Sequence, residues 1–401
     1  MRPAVRGRSL RPPSSLCPGA RDVPATPAYP DGACIVSAFV PRPHTRGTSW
    51  LSLLAGLGAC VALASASAAQ TENPPGVAPM PAQPPLTVPP GEGGPQPIPQ
   101  QARLEIADFS VVELRGTAAP NARVTSLGDK RQGGGIVIDD EGLILTIGYL
   151  VIETEQIEVI GRNGQRVPAA LIAYDNNTGL GLVRAAAPLN IEPIDFADSS
   201  QAKVSDPMLV VGFDGVAPAY LVSRRQYAGT WEYLLDDALF TAPATTGWSG
   251  AALVNNEGKL VGIGSLLVPD ALGESQRLAG NMFVPVDLLK PILTDLVEAG
   301  KPKAPARPWL GVNVQDIKGR LLVTRVSADG PAARGGINEG DIIVGLKGQP
   351  LKSSADFYQR LWESGDAGVE VELNVVQGAE VKRLPIKTID RQEYLRPPAM
   401  F

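Results

Sequence analysis

From Leu104 to Pro285 the chain is a succession of short aliphatic and β-branched runs cut by turn signals, and that texture fixes the fold class before any motif is read. Ser110–Leu114, Gly135–Asp139, Leu143–Thr146, Glu158–Ile160, Leu180–Arg184, Met208–Val211 and Leu260–Ile263 are strand candidates. Asp140-Glu141-Gly142 and Asn255-Asn256-Glu257-Gly258 supply the residues that tight turns between adjacent strands require. Many short strands with regular punctuation predict a mainly β body, either a sandwich or a pair of barrels. Helical periodicity enters only at Val286–Glu298, where apolar residues recur every three to four positions and predict one closing helix.

Length and charge narrow the function classes. At 401 residues there is room for two or three domains, each able to bury a core. The three cysteines are Cys17, Cys34 and Cys60, so the chain from Val61 onward can form neither an internal disulfide nor a thiolate metal site. No cofactor or metal is expected. The net charge is −5, yet residues 1–69 are basic, so the rest of the chain carries all of the acidic excess. An acidic body without a concentrated Lys/Arg run argues against nucleic acid as a partner.

The beginning of the chain has the order of an address. Arg42 and Arg46 precede the apolar run Trp50–Ala64, and the small residues Ser65–Ala69 follow, as in a secretory signal peptide cleaved after Ala68 or Ala69. Leu57-Gly58-Ala59-Cys60 is similar to a bacterial lipobox, which would lipidate Cys60, and an uncleaved anchor is a third option. The apolar run is short for a span of about 20 residues. All three readings place the folded part outside the cytoplasm, in the periplasm or cell envelope, with membrane contact only through an N-terminal anchor. Residues 1–69 are therefore read as leader and 70–100 as linker; from Thr71 to Gln100 there are eleven prolines, a composition that favours an extended spacer.

Gly247-Trp248-Ser249-Gly250 presents a serine in a glycine-flanked turn, as a nucleophile requires, although an isolated G-x-S-G is common. A serine hydroxyl attacks only when a neighbouring base takes its proton, and that base is usually histidine. The chain has one histidine, His44, in the leader. A histidine-based triad is excluded within residues 45–401.

The flanking motifs resemble the HtrA/DegP family of trypsin-like serine proteases. Gly133–Thr146 is similar to the strand pair leading into that family's catalytic histidine; here Ile147-Gly148-Tyr149-Leu150-Val151 follows, so the resemblance puts Tyr149 at the histidine's place. Asn177-Thr178-Gly179-Leu180-Gly181-Leu182 corresponds to the segment holding the triad aspartate, with Gly179 at its position. Gly247–Val254 corresponds to the nucleophile turn, so Ser249 alone survives, and the backbone N–H groups of Gly247 and Ser249 are the implied oxyanion donors. Gly280–Asp287 is similar to the strand entering the closing helix. The resemblance thus implies a trypsin-like double β-barrel over 101–300 with a degenerate triad. A neutral phenol is a weak base, and glycine can orient nothing. Lys259 is the one alternative base considered for Ser249.

Lys301-Pro302-Lys303-Ala304-Pro305-Ala306 reads as a linker. Beyond it, Arg307–Val314 and Ser327–Gly348 resemble the α+β PDZ domains of the same family, over 307–390. Such a domain adds a peptide to a sheet edge and holds its carboxylate with backbone N–H groups. The resemblance puts that loop at Trp309-Leu310-Gly311-Val312, with Gly311 permitting the unusual backbone angles. A helix after Ser353-Ser354 should form the other wall, with Phe357 and Leu361 on one face; for Leu361 a core role is the expectation.

The function expected is that of an exported protein binding exposed or C-terminal polypeptide segments in envelope quality control or regulation, without proteolysis. The family resemblance also implies a homotrimer or mixed assembly with active relatives. The rivals are an active endopeptidase using Ser249 with a non-histidine base, and a membrane-tethered structural protein held through Cys60.

Overall fold

The computed structural model describes residues 109–273 and 276–396; the leader, Cys60 and the proline-rich stretch 70–100 lie outside the described residues. Six strands, β1 (Val111–Ala118), β2 (Lys130–Val137), β3 (Leu143–Ile147), β4 (Thr154–Ile160), β5 (Arg166–Tyr174) and β6 (Leu180–Ala185), close into a barrel in the order β1-β2-β3-β6-β5-β4. Six more, β7 (Pro207–Gly212), β8 (Gly215–Ala228), β9 (Leu234–Ala242), β10 (Ala252–Val254), β11 (Leu260–Val268) and β12 (Gly280–Pro285), close in the order β7-β8-β9-β12-β11-β10, the same path run a second time. Closure leaves neither barrel with an open edge. This is the trypsin-like double barrel.

Local chemistry sets the hairpins. Asp139 Oδ1 accepts the N–H groups of Glu141 and Leu143, and Gly142 takes φ 79°, which closes β2 onto β3. Asn255 Oδ1 does the same for Glu257 and Lys259, with Gly258 at φ 78°, between β10 and β11. Both turn signals are therefore real turns. The expected helix over 286–298 is corrected: Val286–Leu288 is a 3₁₀ turn, and α1 starts only at Leu293 and runs to Ala299. Pro291 has no N–H for the ladder and restricts the residue before it, which separates the two pieces.

The two barrels touch through bare backbone. Gly134 N–H donates to the Ser249 carbonyl at 2.7 Å, and Thr146 Oγ1 donates to the Gly134 carbonyl at 2.7 Å. A Cβ on Gly250, which has φ 69°, would lie 2.1 Å from the Gly134 oxygen, and one on Gly134 would lie 2.8 Å from the Gly250 oxygen. Glycine on both sides is thus the condition for the serine loop of the second barrel to seat on β2 of the first.

After α1 comes a six-stranded sheet in the order β13 (Val312–Ile317), β14 (Arg320–Val326), β15 (Ile342–Leu346), β17 (Glu370–Gln377), β18 (Glu380–Lys387), with β16 (Gln349–Pro350) paired to β15. The one-turn α2 (Pro331–Arg334), α3 (Ser354–Trp362) and the short α4 (Arg391–Tyr394) complete it. This is the PDZ-like domain. Ser353 caps α3 by accepting the Asp356 N–H, as its sequence signal predicted. Leu310, Val312, Val314, Ile343, Phe357, Tyr358, Leu361 and Leu373 form its core. The described residues belong to one compact unit, Gly91–Phe401. Among them no helix is long and apolar enough to cross a membrane.

Candidate functional site

Ser249 stands in the loop between β9 and β10, half-buried at the seam between the barrels. Its Oγ lies 2.9 Å from the hydroxyl of Tyr149, which sits in a single 3₁₀ turn, Gly148–Leu150, directly after β3. Tyr149 also donates to the Ser265 carbonyl at 3.0 Å. One phenolic proton cannot serve both contacts at once. When it goes to the carbonyl, which can only accept, the Ser249 hydroxyl turns to donate to Tyr149. Burial pushes the Tyr149 phenol further above its ordinary value, and the bond with Ser249 only partly opposes that. At neutral pH this phenol is not a phenolate, so it can hold the serine proton in a hydrogen bond but cannot take it away.

Gly179 lies just before β6, and its carbonyl accepts the Gly148 N–H at 2.7 Å. It is therefore one backbone bond from the residue preceding Tyr149. Gly179 has φ 75°, and a Cβ there would lie 3.3 Å from the ring and hydroxyl of Tyr233. Tyr233 donates to the Thr178 carbonyl at 2.7 Å, which anchors it in this slot. Asp175, the nearest buried acid in sequence, is committed elsewhere: its Oδ2 accepts the N–H and hydroxyl of Thr178. Among the described residues no carboxylate hydrogen-bonds to Tyr149.

The Gly247 and Ser249 N–H groups have no hydrogen-bond acceptor among the described residues, so both remain available as donors. Gly247 is crowded by an acid, however. A Cβ there would lie 2.3 Å from Asp214 Oδ1. An acid beside this backbone has the wrong sign to stabilise a developing oxyanion. Trp248 packs its ring edge against Tyr149, centroids 6.4 Å apart. Lys259 is corrected as a candidate base. It stands at the exposed β10–β11 turn, paired with Glu257 at 3.0 Å, and that partner raises its pKa, whereas a base would need it lowered.

In the PDZ-like domain the loop Trp309-Leu310-Gly311-Val312 holds a carboxylate, and it belongs to this chain. Glu232, at the tip of the β8–β9 hairpin, accepts the N–H of Leu310 at 3.0 Å, Gly311 at 2.7 Å and Val312 at 3.0 Å. Gly311 has φ 85°, the conformation expected of it. Burial pushes the Glu232 carboxyl up, while the three N–H bonds and Arg391 pull against that shift. Leu310, Val312 and Trp309 are buried, and Phe357 and Leu361 have no exposed surface at all. Phe357 is part of the core rather than an open groove wall.

Three supporting residues carried no signal in the sequence reading. Arg131 is buried and donates to the carbonyls of Tyr149 and Ile152, fixing the turn that carries Tyr149. Glu153, at φ 52°, accepts the N–H groups of Arg123, Val124 and Arg396, which ties the segment after β18 to the first barrel. Along that segment the Tyr394 ring packs tilted against Trp309, centroids 4.8 Å apart, under the guanidinium of Arg123. Arg131 and Glu153 act on backbone groups and Tyr394 through its ring, each joining segments apart in sequence. Among the described residues no group of three or more His, Cys, Asp or Glu could hold a metal ion.

Comparison with known proteins agrees with this architecture. Residues 133–263 match the trypsin-like peptidase domain model and residues 308–388 the PDZ domain model. Over 270 residues the chain is 27% identical to a "Probable periplasmic serine endoprotease DegP-like" of Pseudomonas putida (strain W619), covering 63% of this chain and 55% of that protein. A "Probable periplasmic serine protease do/HhoA-like" of Haemophilus influenzae is 26% identical over 314 residues, covering 72% and 64%. The chain spans about half the length of the first of these curated relatives. Among solved structures, "HtrA-type protease AlgW with decapeptide" aligns at 21% identity and TM-score 0.44, covering 72% of this chain and 96% of that one. The serine endoprotease from Yersinia pestis aligns at 24% and 0.42, covering 70% and 94%.

Proposed function

We propose that this chain, which combines the trypsin-like peptidase fold and the PDZ domain of the HtrA/DegP family, is an exported polypeptide-binding protein whose serine centre does not cut. The observation that carries the reading is the Tyr149–Ser249 contact at 2.9 Å. Where a base should stand, the nucleophile meets a partly buried phenol with a raised pKa, and no acid among the described residues backs it. Loss of a triad's base costs several orders of magnitude in rate, leaving only binding and the oxyanion donors. Asp214 beside Gly247 weakens even those donors. Tyr149 and Gly179 are, on this reading, the replaced triad positions, and Ser249 is a residual nucleophile.

Binding then has to be the retained function. The PDZ fold supplies a sheet edge and a loop whose N–H groups take carboxylates, the chemistry that recognises exposed C-terminal segments. Relatives named as periplasmic, together with the signal-like run Trp50–Ala64, support export to the envelope and a role in protein quality control or regulation there. The reading is tested with a fluorophosphonate probe that labels activated serines. The expected result is no labelling of the folded protein. Labelling that disappears in Ser249→Ala would mean that a base reaches Ser249 after all.

A further inference from the structure

The tip of the β8–β9 hairpin meets the PDZ module with four features of a bound peptide. The Glu232 carboxylate takes the N–H groups of Leu310, Gly311 and Val312, as a terminal carboxylate would. Two residues earlier, the Thr230 carbonyl accepts the Val314 N–H at 2.8 Å. Moving back along the hairpin from 232 to 230 thus moves forward along β13, the antiparallel sense of a strand added to that edge. On the opposite wall, Tyr358 of α3 donates to the Gly229 carbonyl at 2.9 Å. The apolar anchor is present too: Leu234, 7% exposed, packs in the PDZ core with Leu310, Val312 and Phe357, and not in the core of its own barrel.

The backbone is bent to make this fit. Glu232 adopts φ 52°, in the left-handed region that favours glycine. Left-handed backbone recurs in other strand-connecting turns of this chain, at Lys318 and Lys347; at Glu232 it is combined with three N–H bonds to one buried carboxylate.

We infer that the ligand of the PDZ groove in this chain is its own segment Gly229–Leu234, with Glu232 standing in for a terminal carboxylate, so that a foreign C-terminus binds only by displacing it. The inference rests on the peptide-binding reading of the PDZ module given above. The cost of displacement lowers the apparent affinity by the fraction of molecules with the hairpin released. It also links the two domains: a peptide that enters the groove must move the β8–β9 tip, and with it Tyr233, which fills the slot beside Gly179.

The test measures binding of a fluorescein-labelled decapeptide ending in a free leucine carboxylate, and of its C-terminal amide, by fluorescence polarisation to the intact protein. Glu232→Ala removes the carboxylate while leaving another Cβ-bearing residue at the same φ. It is expected to tighten binding of the acid at least tenfold, with the amide remaining the weaker ligand in every form. Glu232→Gln, which keeps the shape and loses the charge, is expected to tighten it at least threefold and carries the test if the alanine variant does not fold. Hydrogen exchange at Leu310, Gly311 and Val312 is read in parallel, and should speed up at least tenfold in Glu232→Ala. Equal affinity of wild type and variants for the acid overturns the internal ligand and leaves peptide binding standing. Faster exchange with no peptide bound by any form leaves the internal ligand standing and removes the peptide-binding reading. Unchanged exchange in both variants overturns the internal ligand.

Discussion

Replacing Tyr149 by phenylalanine separates a tyrosine that caps the serine from one that activates it. The ring stays, so its packing and its edge contact with Trp248 are kept, and only the hydroxyl is lost. That hydroxyl serves the Ser265 carbonyl. Ser265 is the residue that the β11–β12 ladder skips, pairing running from Gly264 with Phe283 directly to Leu266 with Met282, and Ser265 is 4% exposed. Its carbonyl therefore loses its side-chain donor without a ladder bond to replace it. Leaving a buried acceptor unsatisfied costs about 1–3 kcal/mol, whereas the half-exposed Ser249 hydroxyl can turn to water at little cost. Tyr149→Phe is thus expected to destabilise the barrels by about 1–3 kcal/mol, read as a lower urea midpoint at unchanged slope. The same variant assayed for peptide hydrolysis should match wild type, at background. A barrel as stable as wild type would refute the role assigned to the Ser265 contact. Ser249-dependent hydrolysis in wild type that vanishes in Tyr149→Phe would show that the phenol acts as a base, and would overturn the capping argument.

Further outcomes follow from the same contacts. Gly250→Ala forces a Cβ to 2.1 Å from the Gly134 oxygen at φ 69°, so the seam must open; a loss of about 2–5 kcal/mol is expected by chemical denaturation. A loss under 1 kcal/mol would mean that the two backbones are not in contact. Burial raises the phenol of Tyr227 to about 12 and those of Tyr149, Tyr233 and Tyr358 also upward, so these groups hold their protons more tightly folded than unfolded. Their contribution to stability is complete below the unfolded value near 10 and is lost as pH rises through the folded values. Absorbance titration at 295 nm should show these four ionising together with unfolding above pH 10; ionisation in the folded state near pH 10 would contradict the upward shifts.

What could be read without coordinates follows the range of the interactions. Both hairpin turns were legible because Asp139 and Asn255 act on N–H groups within four residues. Strands such as β3, buried throughout, announce themselves as apolar runs. β8 does not: Gly215–Ala228 mixes Pro218, Arg224 and Arg225 with scattered apolar residues, because much of it is neither fully buried nor fully exposed, and its pairing with β9 slips at two places. The closing helix was drawn too long because its apolar spacing continues across Pro291, which the spacing cannot register. At the site, Tyr149 and Ser249 meet across 100 positions of sequence, a contact set by the barrel topology. The loop at Leu310–Val312 was marked by the resemblance, and Gly311 there has φ 85°. Its occupant was not marked, because Glu232 lies 78 to 80 positions away and reaches the loop only through the docking of two folded bodies.

The central claim is that the serine centre of this protein does not cut, and time-resolved digestion of an unfolded model protein tests it most directly. Purified protein and its Ser249→Ala variant are incubated side by side with the substrate and sampled over hours. Identical, background-level traces are expected for the two. Cleavage by the wild type that is absent in Ser249→Ala would contradict it and would require a base for Ser249 other than Tyr149 or Lys259.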